Sequence, residues 1–154
     1  MPNSYSEDAR HEVISVLKEF LADTAIVYYK THAFHWNVEG NNFYGLHIMF
    51  EEFYKKLWKS MDEVAERIRA LGEKAPPNYV ELLKPAKIKE TETAPAGHLM
   101  VKTLREDYLA LSKKAHEVGS FADVHGDLVT TDMMTKQATF LEKAAWMLQS
   151  STTV

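Results

Sequence analysis

The chain has 154 residues, no cysteine, and a formal charge of -4 from 18 Lys and Arg against 22 Asp and Glu. That length fits one domain with a sizeable core, the missing cysteines exclude disulfides and thiolate-held metals, and the mild acidity excludes a general pull toward nucleic-acid phosphates or anionic lipid. No apolar run approaches the ~18 residues of a membrane span, and MPNSYSEDAR lacks the basic start and apolar stretch of a secretory signal, so a cytoplasmic protein is expected.

Ser4 followed by Glu7 fits a capping box, after which Val13, Leu17, Phe20, Thr24, Val27, Thr31 and Phe34 recur with a helical period. A first long helix is predicted over about residues 6–37, ended by the breakers of EGNNFYG at 39–45. Leu46, Phe50, Phe53, Leu57, Met61, Val64, Ile68 and Leu71 then space at threes and fours, which predicts a second helix over 43–72. Pro76, Pro77, Pro85 and Pro95 mark a long crossover with room for one short helix around YVELL. A third helix is predicted over about 95–122, stopping near GSFADVHGD. A fourth follows over about 127–149, with Leu128, Met134, Phe140, Leu141, Ala145 and Leu148 as its apolar positions. No strand pattern and no internal repeat interrupts this series. The expected fold is all-α: one domain over residues 1–154, a ferritin-like four-helix bundle whose two antiparallel hairpins are joined by a long crossover.

Chemistry concentrates in KTHAFHWNVEGNNFYGLH, residues 30–47. It holds His32, His35 and His47 of the chain's seven histidines, with Glu51 one helical turn beyond. Along the second helix His47, Glu51, Tyr54, Trp58, Asp62 and Glu66 form a line beside the core stripe. Two readings stand at this stage: a solvated polar face, or a face covered by something, for which the large aromatics between the ligand types argue.

Distance limits how these groups combine. Fifteen residues of helix separate His47 from Asp62 by roughly 22 Å, so the two cannot share an ion within one chain. If two copies of the helix pack antiparallel about a two-fold axis, residues whose numbers share one total face each other. His47 with Glu66 and Glu51 with Asp62 share theirs, so one register would assemble two identical sites, each completed by His35. Ferritin-like bundles that hold two irons in their own core use Glu-x-x-His motifs, and this chain contains none. Two imidazoles with carboxylates suit iron, zinc or manganese, so donor type does not choose the metal.

These residues resemble the pattern of the Dps family, small ferritin-like proteins named for DNA protection in starved cells. The likeness rests on His35-Trp36-Asn37, Gly40, Phe43, His47, Asp62 to Glu66 and AERIRALG at 65–72. It returns at DLVTTDMM, 127–134, and WML, 146–148. The resemblance implies a ferroxidase centre with His35, His47 and Glu51 from one subunit and Asp62 and Glu66 from its two-fold mate. It further implies a hollow homododecamer that oxidises Fe(II), preferentially with hydrogen peroxide rather than dioxygen, and stores Fe(III) inside. Trp36 resembles a family tryptophan that intercepts oxidising equivalents, although an aromatic simply packed at an interface accounts for it as well. Asp127 and Asp132 match acidic positions that line iron-admitting pores, an entrance to which nearby Asp123 would add, with a helix N-cap as the second role open to Asp127. His32 lies outside the matched ligands and reads either as a supporting group or as an ordinary interface histidine.

In one respect the chain departs from the family pattern. Residues 1–11 contain Arg10 but no lysine, and SSTTV carries no charged side chain, so DNA binding is expected to be weak or absent unless Lys84, Lys87 and Lys89 form a patch. Three functional readings follow: a peroxide-consuming ferroxidase and iron store, a DNA-compacting protein of the same fold, and a shell holding zinc or manganese.

Overall fold

The protein, seen in a computed structural model that describes residues 6–152, consists of five helices. They are α1 (Glu7–Asn37), α2 (Phe43–Ala70), α3 (Tyr79–Leu83), α4 (Gly97–Val124) and α5 (Leu128–Ser150), with no strand among the described residues. The four long helices and the short one in the crossover fall within two or three residues of their predicted bounds. The proposed Ser4 cap lies outside the described residues; the cap seen is Ser6, whose hydroxyl accepts from the Ala9 N–H.

The periodic apolar residues explain the packing. Leu17, Phe20, Val27 and Phe34 of α1, Phe50, Leu57, Val64 and Ile68 of α2, Leu104 and Leu111 of α4, and Met134, Leu141 and Leu148 of α5 meet in one core. Each large side chain so buried contributes roughly 1.5–3 kcal/mol relative to exposure. Thr24 and Thr31 belong to the stripe because their hydroxyls donate to the Phe20 and Val27 carbonyls four residues back. In the α4–α5 hairpin a side chain at Gly119 would meet the Met134 Cβ at 3.2 Å, so glycine sets how closely those helices approach.

The crossover is tied to α1 by polar groups. Asp23 accepts from the Lys87 and Ile88 N–H groups, and the buried Lys30 ammonium donates to the Lys89 carbonyl and to Asp107 of α4. α3 is thereby held beside α1. Leu128, the first apolar position of the fourth helix, is 71% exposed. It is the first residue of α5, past the packed layer, and with exposed Val124 and Val129 it forms an apolar surface at the α4–α5 turn.

Candidate metal centre

The turn at 38–42, with Gly40 at φ +102°, folds the end of α1 back onto the start of α2. It brings His35 and His47 face to face, with ring centroids 3.8 Å apart and planes 15° from parallel. The His35 Nδ1 lies 2.7 Å from the His47 carbonyl oxygen, and the His47 Nδ1 lies 2.8 Å from the His35 carbonyl oxygen. A carbonyl only accepts, so both Nδ1 atoms carry a proton, and in the neutral tautomer this selects the lone pair falls on Nε2. This is the tautomer a metal requires, fixed on both imidazoles by main chain alone. Phe43 covers the outer face of His47 at 4.9 Å, and Tyr54 meets His35 edge-on at 5.3 Å.

Glu51 follows His47 by one turn of α2. Its carboxylate pairs with Lys55, which holds it below the usual glutamate range, and the nearby His35 and His47 add to the effect. An anionic carboxylate therefore stands within electrostatic reach of two metal-ready imidazoles. Asp62 and Glu66 are exposed and lie further along α2. The structure brings together His35 and His47, with Glu51 nearby, but leaves Asp62 and Glu66 apart from them. Among the described residues of one chain, no three His, Asp or Glu side chains are grouped to hold an ion.

Asp62 instead borders an open groove of about 650 Å³ between α1, α2 and α3, whose lining includes Leu21, Tyr28, Trp58, Met61, Tyr79 and Leu82. Trp58 and Tyr79 are 60% and 79% exposed, an unusual display of apolar area around one carboxylate.

His32 carries more structure than its sequence position indicated. Its ring stacks on Tyr54 at 3.8 Å and 13°, and lies 4.2 Å from Trp36. Its Nδ1 is 3.1 Å from the Tyr28 hydroxyl. Partial burial and the neighbouring His35 hold it below the usual histidine range, so it is neutral near pH 7. The legible signal was spacing: positions 28, 32 and 36 share one face of α1, as 54 and 58 share one face of α2. Trp36 is 57% exposed, and Tyr29 meets it edge-on at 6.2 Å.

The three acidic pore candidates separate. Asp123 and Asp132 are exposed, Asp132 pairing with Lys136 at 2.7 Å. Asp127 is fully buried: its Oδ1 accepts from the Thr130 N–H as N-cap of α5 and from the Arg67 guanidinium at 2.8 Å, while its Oδ2 has no hydrogen-bond partner. Within the chain Asp127 is therefore a cap and a buried ion-pair partner rather than a surface acid.

A bundle of two helical hairpins with a crossover helix, carrying paired imidazoles and carboxylates on its first hairpin, defines a ferritin-like protein. The sequence matches the family model for a ferritin-like domain over residues 14–153. It is 37% identical over 142 residues to DNA protection during starvation protein 2 of Bacillus anthracis, an alignment covering 90% of this chain and 95% of that one. It is 34% identical over 140 residues to the DNA protection during starvation protein of Helicobacter pylori, covering 90% and 97%. The fold superposes on the Dps protein of Bacillus brevis with a TM-score of 0.90 at 32% identity, covering 94% of this chain and 97% of that one. The Dps of Vibrio cholerae, described as a member of a broad superfamily of ferritin-like diiron-carboxylate proteins, gives 0.92 at 28% identity, covering 99% and 98%. The chain belongs to the Dps family.

Proposed function

We propose that this protein is a ferroxidase and iron store whose centres form between two copies of the chain. The observation that carries the reading is the reciprocal His35–His47 bonding, which ties up both Nδ1 atoms and leaves Nε2 of each neutral ring for a metal, with Glu51 in electrostatic reach. Asp62 and Glu66 supply the missing carboxylates from a second copy packed antiparallel along α2, and the apolar groove beside Asp62 is the surface that copy covers. The mate's carboxylates complete the ligand set and displace Lys55 from its hold on Glu51.

Ferrous iron is the substrate. Two Fe(II) ions at one centre deliver two electrons to hydrogen peroxide, and with two protons yield two Fe(III) and two waters. Peroxide is the preferred oxidant and dioxygen the slower one. Consuming ferrous iron and peroxide together suppresses hydroxyl radical. Two imidazoles with carboxylates match the donor set that iron takes, with positions left open for the oxidant. Trp36, the residue after His35, stands where the family tryptophan does, as a solvent-exposed second aromatic beside the centre.

The product is stored inside a hollow cytoplasmic homododecamer. Its further contacts use the exposed Val124, Leu128 and Val129, and iron is admitted past Asp123 and Asp132 with Asp127 behind them. No described helix is long and apolar enough to cross a membrane. The formal charge of -4 per chain opposes close approach of duplex DNA, so DNA binding is weak or absent near neutral pH.

The test is a sizing column run after anaerobic ferrous loading and peroxide addition, with protein and iron followed together. Iron travelling with a shell of about twelve subunits, and failing to accumulate in Asp62→Asn, supports the reading. Iron that precipitates while an intact shell elutes empty sinks it. Competition by zinc and manganese in the same experiment separates a ferroxidase from a shell that merely holds those metals.

A further inference from the structure

We propose that Tyr28 and His32 form a proton-coupled electron reservoir, in which Tyr28 gives up one electron and His32 takes its phenolic proton. The inference rests on the ferroxidase reading above and adds to it a residue pair with a separate job.

The geometry begins with the 3.1 Å contact between the Tyr28 hydroxyl and His32 Nδ1. His32 differs from His35 and His47 in what its Nδ1 faces: a phenol rather than a carbonyl. A phenol can donate, so this nitrogen is free to act as a base. A tyrosine loses an electron readily only when its proton leaves at the same moment, because the protonated radical is a strong acid. Burial, with Tyr54 and Tyr79 nearby, holds the Tyr28 hydroxyl above the ordinary tyrosine range, so the phenol is protonated at neutral pH and needs that acceptor.

A path of touching rings joins the pair to the candidate centre. Tyr54 lies 5.3 Å from His35 and stacks on His32 at 3.8 Å, and Tyr28 is 6.3 Å from Tyr54. Trp36 is also near, 4.2 Å from His32, but its ring is 57% exposed, where a radical meets solvent. Tyr28 is half-buried and has its base in place.

The need for such a reservoir follows from the electron count. With two ferrous ions bound, peroxide receives two electrons and nothing is left over. With one, Fe(II) and hydrogen peroxide give Fe(III), hydroxide and a hydroxyl radical. Tyr28 then supplies the second electron, reducing that radical to hydroxide, while its proton passes to His32 Nδ1. The imidazolium proton and hydroxide make water, leaving a neutral tyrosyl radical. When another ferrous ion arrives, it reduces the radical, a proton returns through His32, and the products are Fe(III) and an intact Tyr28.

The experiment uses the assembled full chain, loaded anaerobically with one ferrous ion per centre, mixed with one equivalent of peroxide and frozen within milliseconds. Electron paramagnetic resonance reads the radical, and absorbance reads Fe(III) in matched samples. The expected result is a tyrosyl signal that narrows when the protein carries ring-deuterated tyrosine and is lost in Tyr28→Phe. In His32→Gln, which accepts a hydrogen bond but takes no proton, it should be about tenfold weaker or more. Helix content and shell size, checked for both variants, guard against misfolding. A signal that survives Tyr28→Phe, that narrows only with deuterated tryptophan, or that keeps full strength in His32→Gln overturns the proposal. Fe(III) formed by the wild type without any organic radical overturns it too, and leaves the ferroxidase reading standing. No Fe(III) at all removes both.

Discussion

His35 and His47 hold each other's orientation: each imidazole donates from Nδ1 to the main-chain carbonyl of the other, at 2.7 and 2.8 Å. Removing either ring therefore removes one ligand and the bond that aims its neighbour. His35→Ala and His47→Ala are each expected to weaken metal binding by at least the 10–100-fold typical of a lost orienting partner. Because the two act as a unit, the double variant should be little worse than either single one. Anaerobic cobalt(II) titration, followed by its visible absorbance, reads this directly. Strictly additive losses would show that the rings are aimed independently.

A site divided between two chains has a signature that one-chain sites lack. His47→Ala spoils the imidazole half of a centre and Asp62→Asn the carboxylate half, so each variant alone should be inactive. In shells reassembled from an equal mixture, half the two-fold pairs are mixed, and each mixed pair contains one wholly native centre and one doubly altered centre. About a quarter of wild-type ferrous oxidation should return. Recovery that stays at the level of the separate variants would mean that the two residues serve the same half, or different sites.

Much of this arrangement was legible beforehand, and the parts that were not share a cause. The helices follow from period, and the separation of His47 from Asp62 follows from the rise of a helix. What sequence did not disclose depends on contacts between distant segments. The carbonyl partners of His35 and His47 exist only because the Gly40 turn closes the hairpin at one angle. Likewise His32 became interesting only once Tyr54, 22 residues on, was seen stacked against it. Asp127 matched an acidic pore position, but Arg67, contributed by the end of α2, draws it inside. Leu128 has the right spacing for the core and fails for a simpler reason: it begins its helix beyond the layer that would cover it.

The Arg67–Asp127 pair gives a stability prediction. The Asp127 side chain is wholly buried and that of Arg67 is 8% exposed, with the guanidinium also donating to the Thr130 hydroxyl at 2.9 Å. Asp127→Ala removes the α5 cap and strands a buried cation, which together should cost about 3–5 kcal/mol per subunit. Asp127→Asn keeps an oxygen for the Thr130 N–H and should lose less. Urea unfolding at fixed protein concentration measures both. An Asp127→Ala variant as stable as the wild type would mean that Arg67 finds water once its partner is gone.

Glu73 makes the last prediction, because its effect depends on pH with a definite sign. It follows α2 and reaches back to α1, accepting from Lys18 at 2.5 Å and lying 3.0 Å from the His11 ring nitrogen. The Lys18 hydrogen bond, against a smaller opposing effect of desolvation and with help from His11, holds its carboxyl below the usual glutamate range. A carboxyl depressed in the folded state binds its proton more weakly there than in the unfolded chain. Its stabilisation is therefore complete above the ordinary glutamate range and is lost as the pH falls through the lower, folded value. The side chain is 30% exposed, so screening keeps the contribution to about 1 kcal/mol or less. The stability gap between the wild type and Glu73→Gln should be constant at neutral pH and close on acidification below about pH 4. A gap that widened there would reverse the sign and place the stabilisation in the protonated form.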